Sequence, residues 1–328
     1  MVLGLSGPEL TYEEREFFAA SQPLGFILFA RNIITPSQAQ ALVQELREAV
    51  GRDDAPVMVD QEGGRVARLQ PPHWHALPAA GAISALQGDD ARNAAWLTGR
   101  LIAHDLRSIG ADIACAPVLD VLQPGLATDV IGDRSYGREP ERVIFLGRAM
   151  AEGLAAGGVL PIVKHIPGHG RAEVDSHHKL PVVTTSTEQL IATDFFPFKQ
   201  LCHLPIAMTA HIVYSAIDAS LPATLSAPLI KTWIREKIGF DGFLMTDDLS
   251  MHALTGSLKS RAESAVQAGC DLVLHCNGNL QEMQEVADAT PTIEPGAWQR
   301  WQEIPRQLPQ PFDVADALET LSRLMDRG

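Results

Sequence analysis

The sequence predicts an α/β protein folded as a single (β/α)8 barrel of the TIM type. Eight short apolar runs recur at fairly regular intervals, amphipathic helical stretches lie between them, and a polar or titratable group follows nearly every run. In chain order the expected strands are residues 2–5, 25–29, 56–60, 111–119, 160–165, 205–212, 242–247 and 271–276. Each is short and mainly apolar, as a strand buried on both faces should be. The helical stretches 36–50, 89–108, 141–156, 227–238 and 259–269 repeat apolar residues at three- and four-residue spacing. An open doubly wound sheet is disfavoured, because no GxGxxG follows an early strand and the glycines at 153–158 lie at a helix end. Residues 291–313 hold five prolines and two tryptophans, so this tail is expected to wrap the barrel surface before a last helix at 314–325, without forming a second domain.

Charge and composition exclude several classes of function. With 26 Lys plus Arg against 40 Asp plus Glu, the chain of 328 residues carries a formal charge of −14, which argues against a nucleic-acid partner. Hydrophobic residues at 46% allow a large core. No apolar run approaches the ~18 residues of a membrane span. The N-terminus lacks a basic segment followed by an apolar one, so a cytoplasmic protein is expected. Cys115, Cys202, Cys270 and Cys276 show no CxxC spacing and read as free thiols.

In a barrel of this kind chemistry sits just past the strand ends. There the chain places Arg31 and Asn32; Asp60, Gln61 and Glu62; Asp120; Lys164 and His165; His211; Asp247 and Asp248; His275 and Asn277. Burying so many polar groups unpaired would cost several kcal/mol each, so packing alone is a poor account of them. Three segments stand out. In VDQEGGRVARL, Asp60 can accept hydrogen bonds from a sugar diol, Gly63-Gly64 permit a tight turn, and Arg65 and Arg68 are expected one helical turn apart. The bland alternative is a capped helix start.

The second segment, VKHIPGHGRAEVDSHHKLP, leaves a strand through Lys164-His165 into a loop whose Pro167, Gly168 and Gly170 suggest mobility. Two readings of its histidines stay open on spacing alone. His165, His169, Asp175 and His177 suit a metal, or Asp175 orients His177 as a proton donor and acceptor. In the third segment, FDGFLMTDDLSMHAL, a strand ends in two carboxylates; one can attack an anomeric carbon while its neighbour caps a helix. Arg134 in GDRSYG suits either a bidentate clamp on substrate oxygens or a loop-bracing salt bridge. His211 and Asp120 either bond a ligand or satisfy carbonyls at the barrel top.

Taken in order, DQEGGRVARL, APVLDV, GDRSYGREP, KHIPGHG with DSHHKLP, MTAHIVY and MTDDLSM resemble the glycoside hydrolase family 3 β-N-acetylhexosaminidases, in the single-domain bacterial cytoplasmic form that serves peptidoglycan recycling. The resemblance runs from about residue 25 to 277 and implies one TIM-type barrel. It implies a retaining exo-β-N-acetylglucosaminidase acting on N-acetylglucosaminyl-1,6-anhydro-N-acetylmuramic acid, with or without peptide. Asp247 falls on the family's nucleophile, His177 on its acid/base and Asp175 on the partner of that histidine. Asp60, Arg68, Arg134, Lys164 and His165 fall on positions that bind the terminal sugar. His178 directly follows His177, so the assignment rests on the DSH register. No cofactor and no metal are implied, and the partner is a small muropeptide-derived carbohydrate, met by a monomer away from nucleic acid and membrane. The alternatives are a metal-dependent amidohydrolase-like barrel using His165, His169 and His177, a family 3 glycosidase or phosphorylase of other sugar preference, and a non-catalytic sugar-binding barrel.

Overall fold

The structure, a computed structural model, describes residues 1–126, 130–172 and 180–327. Its strands are β1 Val2–Leu3, β2 Gly25–Leu28, β3 Val57–Val59, β4 Ile113–Ala114, β5 Leu160–Ile166, β6 Val182–Val183, β7 Ile206–Thr209, β8 Val213–Tyr214, β9 Phe243–Asp248 and β10 Leu272–His275. β6 and β8 form a small parallel pair of their own; the other eight close into a parallel barrel in the order β1, β2, β3, β4, β5, β7, β9, β10 and back to β1. All eight runs expected to be strands therefore contribute to the barrel.

Strand alternation explains how one sequence fills two spaces. Val2, Ile27, Met58, Ile113, Ile162, Met208, Met245 and Leu274 belong to the cluster filling the barrel interior. Their neighbours Leu3, Phe26, Leu28, Val57, Val59, Val163 and Leu244 join the larger cluster shared with the helices. Each such fully buried side chain contributes about 1.5–3 kcal/mol relative to exposure.

The helices are α1 Tyr12–Ser21, α2 Pro36–Ala49, α3 Ala80–Ala85, α4 Gly88–Ser108, α5 Pro140–Ala156, α6 Thr187–Ala192, α7 Phe196–Gln200, α8 Leu258–Ala268, α9 Leu280–Ala289, α10 Pro295–Gln302 and α11 Val314–Met325, with a π-helix at Leu229–Ile238 between α7 and α8. Local chemistry sets their ends. The Thr11 side chain and Glu14 make a reciprocal cap at the start of α1, and Thr35 with Pro36 starts α2.

Several elements differ from expectation. The run 111–119 pairs as a regular strand only at Ile113–Ala114, because Pro117 has no N–H to donate. It still follows β5, with Leu119 N–H donating to Lys164 O at 2.7 Å and Lys164 N–H to Pro117 O at 3.2 Å. The tail does more than wrap the surface. It contains α10, whose Ala297 and Trp301 enter the interior cluster together with Ile304. The Trp301 ring lies 5.3 Å from that of Phe243, at the first residue of β9, so α10 closes the end of the barrel where the strands begin. Arg300 pairs with Asp271, which also holds Arg235 at 2.9 Å, and so ties this helix to the foot of β10. Among the described residues no helix is long and apolar enough to cross a membrane, and all four cysteines are free.

Candidate active site

At the end where the strands finish, a cavity of about 400 Å³ is lined by Asp60, Arg68, Arg134, Lys164, His165 and Asp247, with Phe29, Arg31, Arg65, His169, Asp248, Met251 and Asn277 around them. These come from the ends of β5 and β9 and from loops after β2, β3, β4, β5, β9 and β10, so residues over 180 positions apart meet in one space. A larger cavity of about 580 Å³ lies at the opposite end, around Met1, Asp271 and Trp298, away from these groups. Asp175 and His177 lie outside the described residues.

One side of the cavity is a buried ionic network. The Lys164 ammonium, 3% exposed, stands 2.9 Å from Asp60 and 2.7 Å from Glu62. Arg134 engages Glu62 with two parallel bonds of 2.9 Å, and Arg68 donates to Asp60 at 3.2 Å. Burial would raise both carboxylates, but the nearby cations outweigh it: Asp60 is held well below the usual carboxylate range and Glu62 also lies lower. Burial lowers Lys164, and the two carboxylates more than reverse that. Two carboxylates against three cations leave this side cationic and rich in N–H donors, a suitable lining for sugar hydroxyl oxygens. Arg134 thus braces a loop through Glu62 and Val130 O, while only three of its five N–H groups are occupied among the described residues.

Residues 61–70 form no helix, contrary to the spacing of Arg65 and Arg68. A tight turn closes with a bridge between Gly63 and Val66, and Gly63 has φ of 94°, with Pro78 O only 2.3 Å from where a Cβ would stand. The turn sends Arg68 to Asp60 and Arg65 to Asp133, 2.9 Å away.

The second side is organised by a fully buried carboxylate. Asp120 accepts from His165 N–H at 3.1 Å, from the His165 ring at Nδ1 at 2.7 Å, and from His169 N–H at 2.7 Å. Burial raises its pKa, yet the His165 and His169 charges and these bonds leave it below the ordinary value. Pairing with β7 shifts register between Lys164 and Ile166, so Lys164 and His165, adjacent in sequence, both line the cavity.

At residues 167–172 the segment after β5 is tightly packed. Tyr214 OH donates to Gly168 O, Arg171 meets Asp194 at 2.7 Å, and a Cβ on Gly170 would stand 1.8 Å from Val121 O. The glycine at 170 permits this close approach, and residues 162–170 are buried. His169 sits in the same packing, its pKa pushed down to about 4 by burial first and the His165 charge second.

At the end of β9 two adjacent carboxylates have different surroundings. Asp248 accepts from Ser250 N–H at 3.0 Å, Ser250 Oγ at 2.6 Å and Cys276 N–H at 3.1 Å, and the segment after it is a series of turns instead of the helix it was expected to cap. Asp247 accepts one bond, 2.8 Å, from Asp248 N–H. Burial raises Asp247, and the charges of His165 and His211, with that bond and Lys164, bring it below the usual range, so it is ionised at neutral pH. Behind it the buried His211 uses both ring nitrogens, Nδ1 with Thr224 Oγ1 at 2.7 Å and Nε2 with Asp248 O at 3.0 Å. It is a neutral brace, its pKa lowered by burial. A charged carboxylate with little hydrogen bonding, inside a donor-lined cavity, suits nucleophilic attack on a polarised carbon.

Among the described residues no three His, Cys, Asp or Glu side chains converge as a metal-ligand set. Two residues that matter here, Glu62 and Asp120, were visible in the sequence only as strand-end carboxylates. Nothing in their spacing announced that they would hold Arg134 and Lys164, or His165.

The chain is similar to known proteins over most of its length. The glycosyl hydrolase family 3 N-terminal domain model matches residues 4–299. The chain is 43% identical over 277 residues to a β-hexosaminidase of Methylococcus capsulatus, covering 83% of this chain and 81% of that one. NagZ of Neisseria gonorrhoeae bound to N-trifluoroacetyl-D-glucosamine superposes with a TM-score of 0.89 at 33% identity, over 99% of this chain and 97% of that one. The zinc complex of the same protein gives 0.87 at 32% identity, with the same coverage.

Proposed function

The chain belongs to glycosyl hydrolase family 3 and is a β-N-acetylhexosaminidase; from that premise we propose that it removes single N-acetylglucosamine units from the non-reducing ends of peptidoglycan fragments during cell-wall recycling, as a cytoplasmic monomer with retention of configuration. The observation that carries the reading is Asp247, ionised at the end of β9 in a cavity whose other groups suit a sugar. In this mechanism an Asp247 oxygen bonds to C1 as the C1–O glycosidic bond breaks, and His177, oriented by Asp175, gives its proton to the leaving oxygen. His177 then takes a proton from water as the water oxygen bonds to C1. The C1–O bond to Asp247 breaks, which restores the carboxylate and releases the β-sugar. Asp60, Arg68, Arg134, Lys164 and His165 bind the hydroxyl groups of the terminal sugar.

A second reading, a zinc-dependent hydrolase using His165, His169 and His177, draws on the zinc complex of the gonococcal relative and on the 5.4 Å between the His165 and His169 ring centres. Among the described residues His165 Nδ1 is engaged by Asp120, which leaves Nε2 as the nitrogen for a metal, and His177 lies outside them. One experiment separates the two. Release of nitrophenol from 4-nitrophenyl N-acetyl-β-glucosaminide is followed with a chelator present throughout. Wild type should turn over, and Asp247→Asn should lose about 10³-fold or more in kcat. A silent wild type restored by zinc would replace the carboxylate mechanism with a metal one.

A further inference from the structure

Asp120 lies at a junction that its position after a short strand does not suggest. Its carboxylate binds the His165 backbone and ring and the His169 backbone, while its own backbone carbonyl accepts from Ser135 Oγ at 2.6 Å, next to Arg134. It is 0% exposed, so it can touch no substrate directly. One residue therefore joins the loop that carries Arg134, the His165 ring and the root of the segment leading to His177.

We propose that Asp120 is a positioning residue for the reaction, and that it acts by fixing the proton of His165 on Nδ1. A carboxylate that accepts at 2.7 Å requires a proton on the nitrogen facing it. The other nitrogen, Nε2, lies on the opposite edge of the ring, toward the cavity that His165 lines. Lys164, His169, His211 and Asp247 are the titratable groups around that ring. With the proton held on Nδ1, Nε2 is the nitrogen that faces the sugar, so its bond to a sugar hydroxyl has one orientation. The two backbone bonds set where His165 and His169 begin, and through His169 the start of the following loop.

This inference rests on the sugar-binding role of His165 for its kinetic consequence, but not for the tautomer. Asp120→Asn is the informative variant. Its amide oxygen can still accept the two backbone N–H groups, while its NH₂ faces the ring and donates to Nδ1, which moves the ring proton to Nε2. Two-bond ¹H–¹⁵N spectra of the histidine rings, recorded from about pH 5 to about pH 9, report which nitrogen is bare, and the signals lost in His165→Gln identify His165. In wild type Nδ1 should carry its proton throughout, and any bare ring nitrogen should be Nε2. Asp120→Asn should reverse the assignment and lower kcat/KM about 10- to 100-fold, with the melting temperature little changed.

A wild-type His165 with its bare nitrogen at Nδ1 overturns the proposal, and needs no variant to fold. An unchanged tautomer in Asp120→Asn, or a reversed one with unchanged kcat/KM on an active enzyme, overturns it as well. A wild type with the expected tautomer but no hexosaminidase activity would instead overturn the functional reading and leave the Asp120–His165 arrangement standing.

Discussion

Asp247 and Asp248 are the same residue type one position apart, and their environments give them different work. Asp248 is saturated by Ser250 and Cys276, while Asp247 has one backbone donor and faces a cationic cavity wall. The proposed acid/base adds a prediction at this scale. His177→Ala should slow substrates with poor leaving groups far more than nitrophenyl ones, since only a poor leaving group needs the proton. Kinetics on both substrate types check it, and equal slowing would remove His177 from that role. The sequence made Asp60, Lys164, His165 and Asp247 legible because polar residues directly after apolar strands have few structural reasons to be there. It could not show that Arg134 would be taken up by Glu62, since such a pair depends on two loops 72 positions apart.

Among the elements, the segment after β5 leads to the proposed acid/base, and the shape of its first residues, 167–172, follows from contacts. Gly170 sits where a methyl group would meet the Val121 carbonyl at 1.8 Å. Gly170→Ala must therefore move either this loop or the one after β4. We expect kcat/KM to fall about tenfold or more, with a smaller effect on a spectroscopic melting curve; near-normal kinetics would show that the loop root tolerates displacement. The eight barrel strands and the helices α2, α4, α5, α8 and α11 with the π-helix were legible from periodicity, while α1, α3, α6, α7, α9 and α10 were not. Some of the differences have clear physical causes. Pro117 cut the ladder of β4, the turn at Gly63-Gly64 replaced a helix that the Arg65–Arg68 spacing suggested, and α10 was hidden in a proline-rich stretch because Pro295 starts a helix as readily as it breaks one.

Over the whole molecule, the functional end and the stabilising end are separate. Trp301→Ala should remove about 3–5 kcal/mol of stability, because its ring packs on Phe243 inside the barrel foot, and leave kcat/KM within about twofold; urea unfolding and nitrophenol release measure the two. The molecule should also weaken on mild acidification. His169 titrates near 4 when folded against an ordinary 6.5, and burial lowers His211 too, so between those pH values the unfolded chain binds more protons. Stability then rises with pH across that window and is lost as pH falls through it, by up to about 1.4 kcal/mol per pH unit for His169, with His211 acting in the same direction. Thermal melts from about pH 7 down to about pH 4.5 test this, and His169→Gln should flatten the slope.

The plug formed by α10 has one more consequence. With its foot sealed by Trp301 and its middle packed with Ile27, Met58, Ile162 and Met208, the barrel among the described residues is a blind alley that opens where the strands finish, and a blind alley imposes an order of traffic. Whatever goes in first comes out last. On the mechanism proposed above, the severed remainder of a substrate would clear the opening before the sugar behind it, and the water that frees that sugar would enter through the space just vacated.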